Sequence, residues 1–517
     1  MNPKHALGIL IAGSALVRLI CASSLGLGND EAYHYLYAIH PAPSYFDHPP
    51  MMAWVEMAGL ALLGTGTAAA WALRIGFIAL FAGSTAILAR LTSRRYGARA
   101  GFLAALALNV TGYYGLAASM FALPDGPLLF FWLLTLDRLT VALDDADSRR
   151  LTPWIPVGLA WGGAMLSKYH AVFLPMGAAL SVVLDRRMRQ RWLFRPGPYL
   201  AVGVGLMVFS PVIVWNADHG WVSFLFQGGR AVGSWVPRPD YLVAALLGQA
   251  AYLFPWVWLP LVRILGRSCR TYATMPAGPE RLWTCLAAVP WGAFSAVACF
   301  RPVLPHWGLI GLVSLFPVLG REWAQRIEVQ ARPWRRRLAV YAGLSITLAV
   351  LALLEFHTGF LQRGGGSRVG LLEGRRDPTL DLYGWDQVAD RIRQLGLIDD
   401  PRTFVFTRYW YQSAQLAYAL EEARPVLCYN AEDPRGFAYW SRPEDWVGRD
   451  GILVLIGSEA ELVAHLFGRW FDRVENVAEF WVERSGKPVR HVRLYRCTNQ
   501  RLAFPFGPDR AERITSR

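Results

Sequence analysis

Charge is scarce in this chain. Asp, Glu, Lys and Arg make up 17% of its 517 residues, where soluble domains carry about 25%. That shortage, with 54% apolar residues, 22 tryptophans and a mean hydropathy of +0.26, excludes an ordinary soluble domain or a disordered chain and points to a polytopic membrane protein. Cysteine is also sparse: the six residues show no CxxC or zinc-ligand spacing, so no zinc module or dithiol motif is written here. Cys21, Cys269, Cys285 and Cys299 fall in or beside apolar runs. Cys428 and Cys497 fall in a more polar C-terminal third, where a disulfide between them is open. Internal repeats and low-complexity tracts are absent. A net charge of +14 and a pI near 9.7 would suggest nucleic acid in a soluble protein. In a membrane protein the simpler source is basic residues gathered in cytoplasmic loops.

Apolar runs near 6–25, 67–91, 99–121, 127–143, 153–167, 170–184, 197–215, 241–262, 282–300, 303–319 and 338–356 predict eleven spans. A span needs roughly 20 apolar residues, fewer where the helix is broken or the bilayer thins. The pair 153–184 is short for two ideal helices, but "SKYH" (167–170) interrupts it and the charges on either side demand an even number of crossings. Five loops, within 92–99, 144–152, 185–195, 263–281 and 321–337, hold about 20 Lys and Arg, and the loops between them about 4. One consistent topology follows: a multi-pass protein of the cell inner membrane, N-terminus cytoplasmic, everything after residue 356 periplasmic or extracellular. Arg18 inside the first apolar run, without a clean small-residue cleavage site, favours a span there over a cleaved signal peptide.

The domain reading is a transmembrane unit 1–356 with a first extracytoplasmic loop at 26–66, a linker 357–380, and a soluble domain 381–517. "QRGGGSR" (362–368) and "GRRDP" (374–378) carry the linker composition. Strand patterns at 403–407, 451–457 and 492–497 alternate with helix patterns at 386–396 and 458–470, which predicts a small α/β or α+β fold.

What is present inside the apolar frame is polar chemistry at one end of it. The stretch "GLGNDEAYHYLYAIHPAPSYFDHPPMMAW" (26–54) follows the first span and contains no Lys or Arg. It offers Asp30, Glu31, His34, Asp47 and His48. The other loops on that side add Asp125; Lys168, Tyr169 and His170; Arg230, Arg238 and Asp240; and Arg301 and His306. Ionisable groups at membrane depth cost on the order of 3 kcal/mol and mark a pathway or a site. "MMAWVEMAGLALLG" (51–64) is apolar but too short to cross, which fits an interfacial or re-entrant helix. Carboxylates and a few cations at one interface, with lipid access from the side, suit an amphipathic substrate with an anionic head, such as a polyprenyl-phosphate sugar. Lys and Arg would grip its phosphate.

The motifs "NDEAYHYLYAIH…YFDHPPMMAWV", "LPDGPLLFFW", "LSKYHAVFLP", "PVIVWNADHGWVSFLFQ" and "LPHWGLIGL" resemble, in the same order, those of the PMT-like branch of the GT-C glycosyltransferases. That branch includes protein O-mannosyltransferases, the aminoarabinose transferase of lipid A and the lipid A galacturonosyltransferases. The resemblance covers about residues 6–356. It implies a helical GT-C fold and an inverting transfer of a monosaccharide from a polyprenyl-phosphate donor to a lipid A, glycan or protein acceptor, with no nucleotide. By that resemblance Asp30 is the catalytic carboxylate with Asp47 supporting it. Glu31, His48, Asp125, Lys168, Tyr169, Arg230, Arg238, Arg301 and His306 are then substrate-binding candidates. His48 stands where the aminoarabinose enzyme has Lys. No cofactor is required, and a divalent metal ion held by Asp30, His34, Asp47 and His48 is the one cofactor the resemblance allows, although their spacing is no recognised signature.

Each group also has a structural reading. Asp30 and Glu31 are acids suited to a helix N-terminus, Asp47 and His48 precede Pro-Pro as turn residues would, and Lys168 can snorkel to an interface. A transporter or flippase of lipid-linked intermediates is the alternative function. It predicts ionisable residues along the midplane and inverted repeats, whereas these acids cluster at one end. A non-catalytic scaffold for the C-terminal domain is the third reading and leaves Asp30 and Lys168 freely replaceable.

Overall fold

A computed structural model describes residues 2–63, 70–145, 147–230, 235–276, 278–363, 372–373, 377–457 and 466–506. The N-terminal two-thirds is helical. Its first helix, Pro3–Ser24, starts with Pro3 at the first turn and the Asn2 side chain accepting from the Lys4 amide, an N-cap arrangement. Its one interior charge, Arg18, is buried and donates to the Gly115 carbonyl at 2.7 Å and the Ser119 hydroxyl at 2.7 Å. That pairing offsets the cost of a cation in an apolar helix. Gly115 must be glycine here, because a Cβ would lie 2.1 Å from the Asn109 carbonyl oxygen.

Among the described residues five helices are long and apolar enough to cross a membrane, seven if each of two bent pairs is one span. The eleven expected crossings are therefore not reproduced by length and apolarity. The five are Pro3–Ser24, Ala70–Tyr96, Asp125–Asp144, Pro196–Asp218 and Ala331–Thr358. The expected span 99–121 is Ala98–Asn109 joined at 82° to Tyr113–Met120, and 241–262 is Pro239–Leu253 joined at 119° to Pro255–Arg270. The second bend turns on Phe254, a non-glycine residue at φ 60° followed by Pro255, a strained position of the kind found at functional sites. The first runs through a π-helical turn, Tyr113–Ala117, which shares that tendency. The pair expected at 153–184 forms two short helices, Trp154–Ser167 and Phe173–Leu184, and Lys168 sits extended between them at φ −160°. The short segment after the first loop is the 13-residue helix Met51–Leu63.

The C-terminal third begins with a two-stranded pair, β1 (Gln362–Arg363) and β2 (Leu372–Glu373), then β3 (Phe404–Thr407), β4 (Val426–Cys428), β5 (Gly451–Ile456), β6 (Phe471–Arg484) and β7 (Lys487–Gln500). The last five make a mixed sheet of order β4-β3-β5-β7-β6, parallel among β4, β3 and β5 and antiparallel from β5 onward. The β6–β7 hairpin turns through Ser485 and Gly486, both at positive φ, the type I′ preference that suits sheet twist. Helices Trp385–Gln394 and Trp410–Ala419 cover one face, and an aromatic cluster built on Phe404, Phe406 and Phe471 fills the other. The helix expected at 386–396 and the strands expected at 403–407 and 451–457 overlap elements found here to within two residues at their ends, and 492–497 lies within β7. β4, β6 and the helix Trp410–Ala419 had no expectation. Residues 364–368 and 374–376 of the linker, and 458–465 of the second expected helix, lie outside the described residues.

Cys428 and Cys497 are free thiols. They sit on β4 and β7, with β3 and β5 between them. Three strand spacings of about 4.8 Å hold them far beyond the roughly 7 Å Cα limit for a disulfide.

Candidate active site

The first loop is fixed by a buried ion pair. Arg74, from the second long helix, donates to both carboxylate oxygens of Glu31 at 2.8 and 2.6 Å, and to the carbonyls of Ala22, Leu25 and Gly26. Glu31 also accepts from the amides of Gly28 and Ala122, both at 2.9 Å. Every lone pair of Glu31 is thereby committed to these partners. Glu31 pins the helix Asn29–Ile39 so that its neighbour Asp30, in the first turn, faces outward. Among the described residues Asp30 is exposed and takes part in no hydrogen bond or ion pair. Arg74→Gln, which leaves Glu31 a buried charge without its counterion, should lower the stability of the detergent-solubilised protein by about 3–5 kcal/mol in thermal unfolding.

Asp30 lines a cavity of about 810 Å³ together with His34, His48, Asp125, Lys168, Tyr169, Arg230, His306 and one residue from far along the chain, Arg435. That volume falls in the range of small-molecule sites. Lys168, one of only three lysines in the sequence, donates its Nζ to Asp125 Oδ2 at 2.8 Å, with both side chains largely buried. Asp125 opens the helix Asp125–Asp144, and Lys168 is presented by the break described above. The His306 ring stacks on Tyr113 of the π-turn at 5.1 Å. Arg230 caps the helix Val222–Gly229 and lies over the Phe226 ring at 4.6 Å and near the Trp307 ring at 5.9 Å. Three cations thus face two carboxylates, and one opposing wall, built from Phe173, Phe294 and Val297, is apolar.

Asp47 does not line this cavity. It is fully buried, accepts from the Tyr37 hydroxyl and pairs with Arg435 Nη1 at 2.6 Å. Burial alone would raise its carboxyl, but the neighbouring charges of His48 and Arg435 and the Tyr37 hydroxyl bring it to about 2. Burial pushes His48 itself down to about 3, and Arg435 is the ion-paired partner of Asp47. The His34 Nδ1 meets the Ala122 carbonyl at 2.8 Å. Asp47 is committed to these partners, whereas His34 uses only Nδ1 and keeps Nε2; among the described residues no group of three or more metal-ligating side chains converges. The expected set Asp30, His34, Asp47 and His48 is therefore not gathered into one metal-ion cluster among the described residues. Arg238 is exposed and paired with Asp240, away from the cavity. Arg301 donates to the carbonyls of Gly229 and Arg230 and so supports the loop that carries Arg230.

Arg435 was not foreseen. It sits at φ 51° in "AEDPRGFAYW" (431–440), a left-handed conformation that costs on the order of 1 kcal/mol for a non-glycine residue. Four contacts hold it: Asp47, Asp433 at 3.2 Å, the Trp410 ring at 4.3 Å and the Phe226 ring at 5.2 Å. Around it the C-terminal third docks on the helix Asn29–Ile39 through the Gly436 amide to the Tyr33 hydroxyl at 2.8 Å and Gln415 to the Leu27 carbonyl at 2.9 Å. The two parts share one core that includes Tyr33, Tyr37, Ala414 and Phe437. A second cavity of about 340 Å³ opens where they meet, and Asp30 lines it as well, with Asn29, Asp381, Trp410 and Tyr411.

Arg435→Gln should raise the KM for an anionic substrate by about 10- to 100-fold, the worth of one charge-assisted hydrogen bond. The same variant should carry a pH signature. Because Asp47 is held below the unfolded value of about 3.9, its contribution to stability is complete above that pH and is lost as the pH falls toward about 2. The Tm gap between wild type and variant should therefore be full above pH 4 and close near pH 2.

Residues 47–215 match the family described as dolichyl-phosphate-mannose-protein mannosyltransferase. Over 223 residues, 42% of this chain and 45% of the relative, the sequence is 27% identical to the lipid A galacturonosyltransferase RgtD of Rhizobium johnstonii; the match spans less than half the length of that protein. The whole fold is similar to ArnT from Cupriavidus metallidurans. The apo form matches with a TM-score of 0.63 at 15% identity over 96% of this chain and 98% of that one. The undecaprenyl-phosphate-bound form matches with a TM-score of 0.60 at 15% identity over 94% and 97%. The family match thus covers residues 47–215, and the fold of the whole chain is similar to that of ArnT.

Proposed function

We propose that this chain is an inverting glycosyltransferase that moves one monosaccharide from a polyprenyl-phosphate donor to an acceptor on the outer side of the inner membrane, a lipid A, glycan or protein group. The N-terminus lies in the cytoplasm, residues 381–517 outside, and eleven passes of chain, several of them short or bent, connect the two. The observation that carries the reading is that Asp30 lies on the wall common to two cavities, one rich in cations and one closed by the C-terminal third.

The donor phosphate enters the large cavity, where Lys168, Arg230 and Arg435 supply charge-assisted bonds, and its prenyl tail follows the apolar wall toward lipid. The acceptor reaches Asp30 from the second cavity. In one in-line displacement an acceptor oxygen bonds to the anomeric carbon while the bond from that carbon to the phosphate oxygen breaks. Polyprenyl phosphate leaves with the electron pair. The cations stabilise the negative charge that grows on the departing phosphate, and because the cavity holds them before the reaction they need no reorganisation. If the acceptor is a hydroxyl, Asp30 takes its proton; an acceptor that is already an anion needs only positioning. Asp125 holds Lys168 in place, and Glu31 with Arg74 holds Asp30.

The undecaprenyl-phosphate complex of ArnT supports this donor class by similarity, and the lipid A galacturonosyltransferase activity named for RgtD supports sugar transfer. The test is transfer of radiolabelled sugar from a polyprenyl-phosphate donor in membranes containing the protein, with mass spectrometry of lipids and glycans from a deletion strain to name sugar and acceptor. A strain whose lipids and glycans are unchanged, together with membranes that leave every such donor intact, would refute the proposal.

A further inference from the structure

About 18 Å of helix, from Pro255, just past the donor-cavity residue Tyr252, to Arg267, leads to another polar hollow. It measures about 670 Å³ and lies where Pro255–Arg270 and Phe316–Val329 end and Ala331–Thr358 begins. Arg267, Arg321, Arg326 and Arg337 line it around Trp334, and Glu322 is the one acid among its lining residues. Arg267 is bonded to Glu322, which Arg326 also approaches at 3.9 Å, and Arg321 is bonded to Glu280. Four cations against two carboxylates leave two positive charges in excess. The guanidiniums of Arg326 and Arg337 lie 4.7 and 5.1 Å from the centre of the Trp334 ring. Arginines that serve only to orient spans need neither converge on one ring nor share a hollow.

The helix that carries Trp334 continues the argument. At three- and four-residue spacings, which keep side chains on one face, Arg337 is followed by Val340, Leu344, Leu348 and Leu351, each 43–50% exposed. Val329 at the rim is 83% exposed. This helix is 28 residues long and spans a membrane by length and composition. An arginine-lined hollow therefore opens onto a bare aliphatic stripe. A free phosphate compound would use the hollow and leave the stripe uncovered, whereas a lipid uses both.

We propose that this is a binding site for an anionic phospholipid, its phosphates on Arg326 and Arg337 and its acyl chains along Val340 to Leu351. Two excess charges favour a headgroup with two phosphates over one. The test is native mass spectrometry of the purified full-length protein, supplied with cardiolipin, phosphatidylglycerol or phosphatidylcholine, each with and without sodium pyrophosphate. Cardiolipin should be retained about tenfold more than phosphatidylcholine, in keeping with the attraction of each basic residue at an anionic surface, with phosphatidylglycerol between them. Pyrophosphate should not displace it. Arg326→Gln/Arg337→Gln, and Arg337→Gln alone if the double variant fails to elute as a monodisperse species, should erase the preference. Equal retention of the three lipids, or a preference unchanged in the variants, would overturn the proposal. Displacement by pyrophosphate would overturn it in favour of a soluble phosphate ligand.

Discussion

Asp30→Asn is expected to reduce sugar transfer by about 10²- to 10⁴-fold, the range for losing a positioned base or carboxylate, with expression, Tm and donor retention unchanged. The structural grounds are the division of labour inside one dipeptide. Glu31 spends its carboxylate on Arg74 and two backbone amides, whereas Asp30 makes none of these bonds and faces both cavities. If Asp30 were only an acid at a helix N-terminus, asparagine would cost a few tenths of a kcal/mol and transfer would persist. Glu31→Gln supplies the contrast: it should act chiefly on stability. Undiminished transfer by Asp30→Asn in the labelled-donor assay ends the assignment of Asp30 to the reaction.

Lys168→Met is expected to lower both stability and transfer. Removing one partner of a buried pair strands the other, and Asp125 would be left without its counterion at a cost of about 3–5 kcal/mol. Joining it with Asp125→Asn removes the stranded charge, so the double variant should recover most of the lost Tm. Transfer should not recover, because the donor phosphate has lost a cation in a dry wall. That split between stability and activity separates a substrate-binding lysine from one that merely completes an ion pair, for which rescue of Tm would bring rescue of transfer. Thermal unfolding and labelled-donor transfer on the three proteins make the comparison.

How much of this could be read along the chain depends on the kind of information each residue carries. Apolar runs, the charge asymmetry of the loops and the polar insertions at Asp30, Asp125 and Lys168 are local, and each is visible in a window of twenty residues. "SKYH" announced a break, and the break is where Lys168 meets Asp125. The sequence pattern was less informative about continuity. One expected span bends by 82° at the π-helical turn, and Phe254, whose ring lies against Gly112, folds another back at 119°. Arg238 and Arg230 looked alike as basic residues of one loop. Only their surroundings separate a solvent-exposed pair with Asp240 from a guanidinium held over aromatic rings in the cavity. Asp47 read, by the family resemblance, as a carboxylate supporting Asp30, and only the fold shows that its oxygens meet Tyr37 and Arg435.

The residues alone determined that this is a membrane protein with one polar, carboxylate-bearing end, because partition between water and lipid is decided residue by residue and needs no tertiary contact. The joining of the C-terminal third to that end was decided by the tertiary structure. Arg435 meets Asp47 across 388 positions of chain, a distance over which no periodicity reports. A single arginine in a strained turn acquires its role only when a separately packed sheet domain sets it against a buried carboxylate. Desolvation there makes the pairing strong, and the cavity in which the proposed chemistry occurs is closed by it.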